Sequence, residues 1–385
     1  MTMTLHTASG IRSQFPCLAD LVYLNTGTVG PLPTTVIEAA TSALRTDLER
    51  GRSSGRRFQG IARNRTRARE LCAALVGVEP AAVTLTSGTT EGVMIALRTV
   101  GWTSGAELLV SDAEHPAVTA ALRGLCERHG IVLRSFPTTG SDEQVLAAVR
   151  EALGPRTAAV LVSHVLFADG RPLPVAGICA AAAGVGAVSV VDGAQAVGAI
   201  QVDVPATGAD FYAFPGQKWL LSIEGTGALV SRTAVSGLDP APVPGAAVAA
   251  LIAALEFRDG IDSEPELVAL AARRNAELRA VLESTPGVRI LSPASATTLT
   301  SFVVEGTASS EVVAALGAAR IGTRVIPEND AIRISAGFWT DTHDIDRFAA
   351  GLAGLAGSGR STDPQPAAAC PINPPVAEGP AERQR

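Results

Sequence analysis

From about residue 80 the chain alternates short apolar runs with longer amphipathic or alanine-rich stretches, and this alternation restricts the fold more than any other feature. The runs 83–86, 108–111, 131–134, 158–163, 189–191 and 211–214 read as short buried strands. The stretches 91–100, 116–129, 143–153 and 175–183 between them read as helices. Strands separated by helices build βαβ units. The expected core is therefore α/β: a mainly parallel, doubly wound sheet with helices on both faces. Ligands of such sheets bind beyond the carboxyl ends of the strands. Chemistry is expected in the loops that follow the strands.

The flanks read differently. Residues 34–50 and 56–76 precede the alternating core as helices, and 243–256 and 264–283 follow it as helices. Strands at 302–305, 324–326 and 332–335, with helices at 309–319 and 341–355, form a small α+β C-terminal domain. The expected division is an N-terminal segment (1–30), a large domain (31–240), a small domain (241–356) and a Pro- and Gly-rich disordered tail (357–385).

With 47% hydrophobic and 18% charged residues, 385 residues can bury a large core, which excludes global disorder. A net charge of -6 argues against a nucleic-acid or membrane-surface binder. The uncharged stretch 172–191 is broken by Pro and Gly, so it reads as a buried helix followed by a strand rather than a membrane span. Cys17, Cys72, Cys126, Cys179 and Cys370 are scattered, with no metal-binding spacing. With no secretory start, they point to a reducing, cytoplasmic setting. The arginine-dense stretch 45–69 reads as a solvated or subunit-facing surface.

Of 31 basic residues only Lys218 is lysine. Arginine can replace lysine wherever a generic positive charge suffices. It cannot supply a free amine, so the surviving lysine points to amine chemistry. Lys218 follows an apolar run in Phe214-Pro-Gly-Gln217-Lys218-Trp219. The preceding strand end carries Asp192 in Asp192-Gly-Ala-Gln195. Thr86-Ser-Gly-Thr89-Thr90-Glu91-Gly92 follows a strand and opens a helix, where free N–H groups, the helix dipole and hydroxyls suit an anion. It contains neither a Walker lysine nor a dinucleotide glycine pattern. Taken singly, these residues could serve as ordinary caps and turns. Together, an anion site, a carboxylate and a lone lysine on one rim match the phosphate, pyridine nitrogen and aldehyde of pyridoxal phosphate (PLP).

The sequence resembles the class V aminotransferases, PLP-dependent enzymes of fold type I, of the cysteine desulfurase and isopenicillin N epimerase kind. The likeness spans roughly residues 20–350 and rests on Asp192-Gly-Ala-Gln195, Asp210-Phe-Tyr, Gly216-Gln-Lys218-Trp and Glu224-Gly-Thr-Gly227. The resemblance implies that Lys218 holds the cofactor aldehyde, Asp192 pairs with the pyridine nitrogen and Gln195 meets the ring hydroxyl. It implies that Thr89 and Thr90 hold the phosphate with Gln217, where relatives often have His, and that His115 stacks on the ring. Arg333 matches the arginine that grips a substrate α-carboxylate, and Asn25 and Thr26 belong to the segment lining the substrate pocket. A homodimer is also implied. No metal is expected.

Two departures from the family pattern shape the functional expectation. Desulfurases place a nucleophilic Cys on a loop before the carboxylate arginine, whereas 321–332 holds none and Cys370 lies in the tail. The stretch 232–255 is shorter than the insert that in relatives reaches towards the partner's cofactor, which implies a more open pocket. The preferred reading is a β-eliminating C–S lyase acting on a cysteine S-conjugate in secondary metabolism such as antibiotic biosynthesis. A weaker likeness is to PLP enzymes of lincosamide pathways. A decarboxylating oxidative deaminase, an epimerase, an aminotransferase and a non-catalytic PLP sensor stay open.

Overall fold

A computed structural model describes residues 8–233, 242–294 and 298–356. The expected disordered tail, with Cys370, lies outside the described residues. The strands in chain order are β1 (Val22–Tyr23), β2 (Val83–Thr86), β3 (Glu107–Ser111), β4 (Val132–Phe136), β5 (Thr157–Ser163), β6 (Val188–Asp192), β7 (Phe211–Pro215), β8 (Gly227–Ser231), β9 (Val288–Ile290), β10 (Leu299–Val304), β11 (Ile321–Gly322), β12 (Arg324–Ile326) and β13 (Ala331–Ser335).

Seven of them form the central sheet, in the order β2-β8-β7-β6-β5-β3-β4. The run from β7 to β4 is parallel throughout, while β8 is antiparallel to both its neighbours. β2 therefore points the same way as the parallel strands, and all their carboxyl ends share one rim. The sequence reading omitted β8. It is only five residues long, follows a Gly-rich turn and has no helix before it, so no βαβ pattern announces it. The apolar run of β5 divides by strand alternation. Val160 and Val162 join the core beneath helices Gly55–Val76, Asp142–Ala152 and Val175–Gly184, whereas Ala159 and Leu161 join the core beneath Thr89–Arg98 and Pro116–His129. The edge strand β4 exposes most of its residues, and it ends two residues later than the apolar run suggested.

In the small domain an antiparallel sheet, β12-β13-β10-β9, packs against helices Glu264–Ser284, Ser309–Ala318 and Thr342–Ala356. Helix Gly245–Asp259 buries Val248, Leu251 and Leu255 in the core of the large sheet. We therefore place the domain boundary after this helix rather than at residue 240. The N-terminal segment is stitched to the small domain: β1 pairs with β11, and Asn25 bridges to Ser335. From there it runs to the rim of the large sheet. The uncharged stretch 172–191 holds only the ten-residue helix Val175–Gly184 and part of β6. No helix among the described residues is long and apolar enough to cross a membrane.

Candidate active site

A cavity of about 440 Å³ opens at the shared strand rim. Its wall includes Thr89, Thr90, His115, Asp192, Gln195, Gln217 and Lys218, so four separate segments converge here on one space.

The lysine loop is held from several sides. Gln217 carbonyl accepts from Gly30 N–H at 2.8 Å, and a side chain at Gly30 would collide with the Lys218 carbonyl. Buried Arg258 donates to the Trp219 carbonyl at 2.7 Å and pairs with Glu264. Leu221 has a φ of 64°, a left-handed conformation that is uncommon away from glycine and is kept here by complete burial. Burial pushes the Lys218 amine down to about 8; Asp192 opposes the shift, and Arg333 and Arg324 add to it.

Asp192 ends β6, and its Oδ1 accepts from Ala194 N–H at 2.8 Å. Burial raises its pKa, opposed by that hydrogen bond and by Lys218. A cationic ring nitrogen at this carboxylate would offset the cost of burying it. Gly193, next in the chain, leaves room for the Tyr212 ring, into which a Cβ would run. Gln195 ties two segments together: Nε2 donates to the Gly27 carbonyl at 2.7 Å, and Oε1 accepts from Trp219 Nε1 at 2.9 Å. The second Nε2 hydrogen is left for a ligand hydroxyl.

His115 caps helix Pro116–His129, its Nδ1 accepting from Ala117 N–H at 3.2 Å. The neutral ring therefore carries its proton on Nε2. Burial, then Lys218, Arg324 and Arg333, depress its pKa to about 4, so it is uncharged at neutral pH. Glu114, not singled out from sequence, lies behind it. Its carboxylate takes the hydroxyls of Ser111 and Ser163 and the Ser163 N–H, while burial and Asp192 raise it to about 7.

Helix Thr89–Arg98 opens at the cavity with no side-chain cap. Its first-turn N–H groups have no partner within the helix. Thr89 Oγ1 and Gln217 Oε1 are buried without a hydrogen-bond partner. Buried polar atoms rarely go unsatisfied. A phosphate at the helix start would accept from the Thr89 hydroxyl, and the Gln217 amide can turn its N–H to the same group. The residues present therefore fit PLP.

The substrate side differs in part from expectation. Arg333 is 2% exposed and donates to the Phe167 carbonyl at 2.7 Å and the Thr28 hydroxyl at 2.9 Å. Burial and Arg324 lower its pKa to about 9, so it remains cationic at neutral pH. None of Arg333, Asn25 and Thr26 lines the cavity; Arg333 is tied to two residues that do, Thr28 and Phe167. Thr26 is fully buried, and Asn25 Oδ1 accepts from Thr28 Oγ1 at 2.7 Å. The residue of this segment on the cavity wall is Thr28, which Asn25 steadies. Phe167 and Arg324 also line the cavity, and neither was singled out from the sequence. Phe167 contacts the His115 ring, with centroids 4.8 Å apart. Only the antiparallel pairing of β12 with β13, which sets Arg324 opposite Arg333, could have pointed to Arg324.

Sheet, cavity and donor set together define a PLP-dependent enzyme of fold type I. The chain belongs to the class V aminotransferase family, whose profile, "Aminotransferase class-V", matches residues 22–251. It is 31% identical to isopenicillin N epimerase of Streptomyces clavuligerus, over 88% of this chain and 95% of the relative. A probable cysteine desulfurase of Vibrio cholerae is 32% identical over 58% of each chain. Among solved structures, the cystine C–S lyase C-DES in complex with its reaction product cysteine persulfide superposes with a TM-score of 0.81 at 30% identity, covering 88% of this chain and 99% of that one. A mutant of C-DES with glycine covalently linked to its PLP cofactor superposes with a TM-score of 0.82 at 29% identity, covering 89% and 98%.

Proposed function

We propose that this enzyme is a lyase that cleaves the Cβ–S bond of S-substituted cysteines by β-elimination, yielding a thiol, pyruvate and ammonia. The observation that carries this reading is the absence of a thiol from the cavity. None of the four cysteines among the described residues lines it, and Cys72 and Cys179 are buried elsewhere in the core. A sulfur-accepting cysteine, which desulfurases use, is therefore missing from the wall. The similarity to a cystine C–S lyase over nearly its whole length supports the same reading.

Bound PLP supplies an electron sink that acidifies Cα. Lys218 holds the cofactor until substrate arrives and then takes the Cα proton. Its burial-lowered pKa leaves more free amine at neutral pH than a surface lysine has. With PLP bound, Asp192 would keep the ring nitrogen protonated, His115 would meet the cofactor as an uncharged side chain, and Thr89, Thr90 and Gln217 would hold the phosphate. Arg333 fixes the α-carboxylate, with Thr28 and Phe167 fixing Arg333. The departing sulfur leaves as a thiolate and takes up one proton; water completes the release of pyruvate and ammonia.

The likeness to isopenicillin N epimerase favours a second reading, inversion at Cα, which needs the same first proton transfer. Incubating the holoenzyme with S-substituted L-cysteines in D2O separates the two. Elimination gives pyruvate and one thiol per turnover. Deuterated D-amino acid without pyruvate would replace the lyase reading with epimerisation.

The working unit is proposed to be a homodimer. Leu44, Leu48 and Phe58 stand exposed on helices Thr34–Arg50 and Gly55–Val76, and a second copy of the chain would cover them. Light scattering showing a fully active monomer would refute this.

A further inference from the structure

Two arginines are buried among the described residues, Arg333 and Arg258. Arg258 does not line the cavity; it lies in the last turn of helix Gly245–Asp259, and its guanidinium is divided between the two domains. On the large domain Nη1 donates to the Trp219 carbonyl at 2.7 Å, and Nη2 lies 3.5 Å from the Gly198 carbonyl, in the loop that follows Asp192. On the small domain Nη2 meets both Glu264 carboxylate oxygens at 2.6 Å, at the start of helix Glu264–Ser284. The guanidinium carbon also sits 5.5 Å from the centre of the Phe338 ring, beyond β13. The chain itself crosses between the domains in the six positions from Arg258 to Glu264.

Stability alone is a poor reason for this arrangement. Burying a guanidinium is offset where its donors are satisfied, and here Nε is buried without a partner. What the group holds is the loop that carries the amine. The Gly216 and Lys218 carbonyls are taken within that loop, by Ser222 and Leu221 N–H. The two carbonyls flanking Lys218 are held from outside it: Gln217 by Gly30 N–H and Trp219 by Arg258. Of these two bonds the one from a charged donor is the stronger. Leu221, in its left-handed conformation, packs in one cluster with Phe338 and Trp339 of the small domain. The base and the carboxylate clamp therefore stand on different domains, Lys218 on one and Arg333 on the other. Proton transfer at Cα needs both in one geometry, and a misplacement of about 1 Å costs roughly a hundredfold in rate.

We propose that Arg258 is a positioning residue for Lys218: by binding the lysine loop and Glu264 together, it sets the distance between the amine and the Cα of an amino acid held on Arg333. The proposal rests on Lys218 taking the Cα proton and Arg333 holding the α-carboxylate. Elimination and inversion share both, so it does not depend on which of them follows. Arg258 acts through the backbone of the loop and through the small domain, without reaching the cavity itself.

S-methyl-L-cysteine in D2O tests this on the holoenzyme. Proton NMR follows the loss of its α-proton, which occurs whether the product is pyruvate or inverted amino acid. Arg258→Gln should lower kcat for this loss about tenfold or more and leave KM within about threefold. Arg258→Lys, which keeps the charge without the fork, should recover part. Backbone amide exchange across 217–222, read by mass spectrometry without substrate, should quicken in Arg258→Gln. Glu264→Gln changes a partly exposed side chain and spares the Trp219 bond, so it loosens the tie to the small domain alone. It should lower kcat about threefold or more with loop exchange unaltered. A raised KM with unchanged kcat in Arg258→Gln would overturn the proposal and leave Arg258 a brace between domains. So would unaltered loop exchange in that variant, or wild-type kcat in Glu264→Gln. Retention of the α-proton by the wild type would overturn the Lys218 reading and the proposal together, whereas equal loss in the wild type and Arg258→Gln would overturn the proposal alone. Proton loss without pyruvate would remove the elimination and leave the proposal standing.

Discussion

The two sides of the cavity are built in different ways. On the cofactor side each polar side chain follows or ends a strand of one sheet: Thr89 after β2, His115 after β3, Asp192 at the end of β6, Lys218 after β7. Parallel strands deliver their ends to one rim, so a single rule of topology assembles the group. On the substrate side Thr28 comes from the N-terminal segment, Phe167 from the loop after β5 and Arg324 from β12 of the small domain, with Arg333 on β13 bonded to Thr28 and Phe167. No single element fixes these four together: the β12–β13 ladder sets Arg324 beside Arg333, and hydrogen bonds across domains join Arg333 to Phe167 and Thr28. The difference implies a rigid half that binds the cofactor and an assembled half that decides what reacts.

Lys218→Ala should break the cofactor side most severely. Turnover should fall by about a thousandfold or more, since the residue both anchors the cofactor and moves the Cα proton. Borohydride reduction should fix PLP to a peptide containing Lys218 in the wild type and to none in the variant. Cofactor attached elsewhere would remove the lysine from its role.

Arg333→Ala tests the assembled side. Amino-acid affinity should drop about tenfold or more with PLP affinity little changed, because hydrogen bonds to a charged group contribute roughly 1.5–3 kcal/mol. Arg333→Lys should recover only part, since a point charge cannot replace the fork. Thermal stability should fall as well, with the Phe167 carbonyl left unpaired. An alanine variant with unchanged substrate affinity would reduce Arg333 to a brace between domains.

Thr89→Val sharpens the contrast from the cofactor side. The Thr89 hydroxyl has no partner within the protein, so the apoprotein should melt at nearly the same temperature. PLP affinity should weaken about tenfold, read by fluorescence titration. A destabilised apoprotein with normal PLP affinity would make Thr89 an ordinary helix-start residue.

The smallest effect is a pH slope. In the folded apoprotein His115 titrates at about 4, below its unfolded value near 6.5, so between these values the unfolded chain binds the extra proton. Stability from this group is present above pH 6.5 and is lost as pH falls towards 4. Glu114, raised to about 7, acts in the opposite sense, losing its contribution as pH rises from about 4.5 to 7. His115→Gln should therefore lessen the rise of apoprotein melting temperature with pH over this range. An unaltered slope would mean that His115 is not held neutral by the fold.

Much of this molecule was legible in the chain because the evidence was local. Short apolar runs separated by helices dictated a mainly parallel sheet. A lone lysine, an aspartate after Val190-Val191 and a threonine-rich helix start announced the cofactor side, each carried by a stretch of under ten residues. β8 escaped because an antiparallel strand inserted between β2 and β7 has no helical crossover to mark it. Helix Gly245–Asp259 was assigned to the small domain because sequence order says nothing of which face a helix covers. The choice of Thr28 over Asn25 and Thr26, and the pairing of Arg324 with Arg333, were settled only by tertiary structure. The direction of the Thr28 turn depends on Arg333, 305 positions further along the chain. Local periodicity reports which residues a segment can bury; it carries no record of the segment against which they are buried.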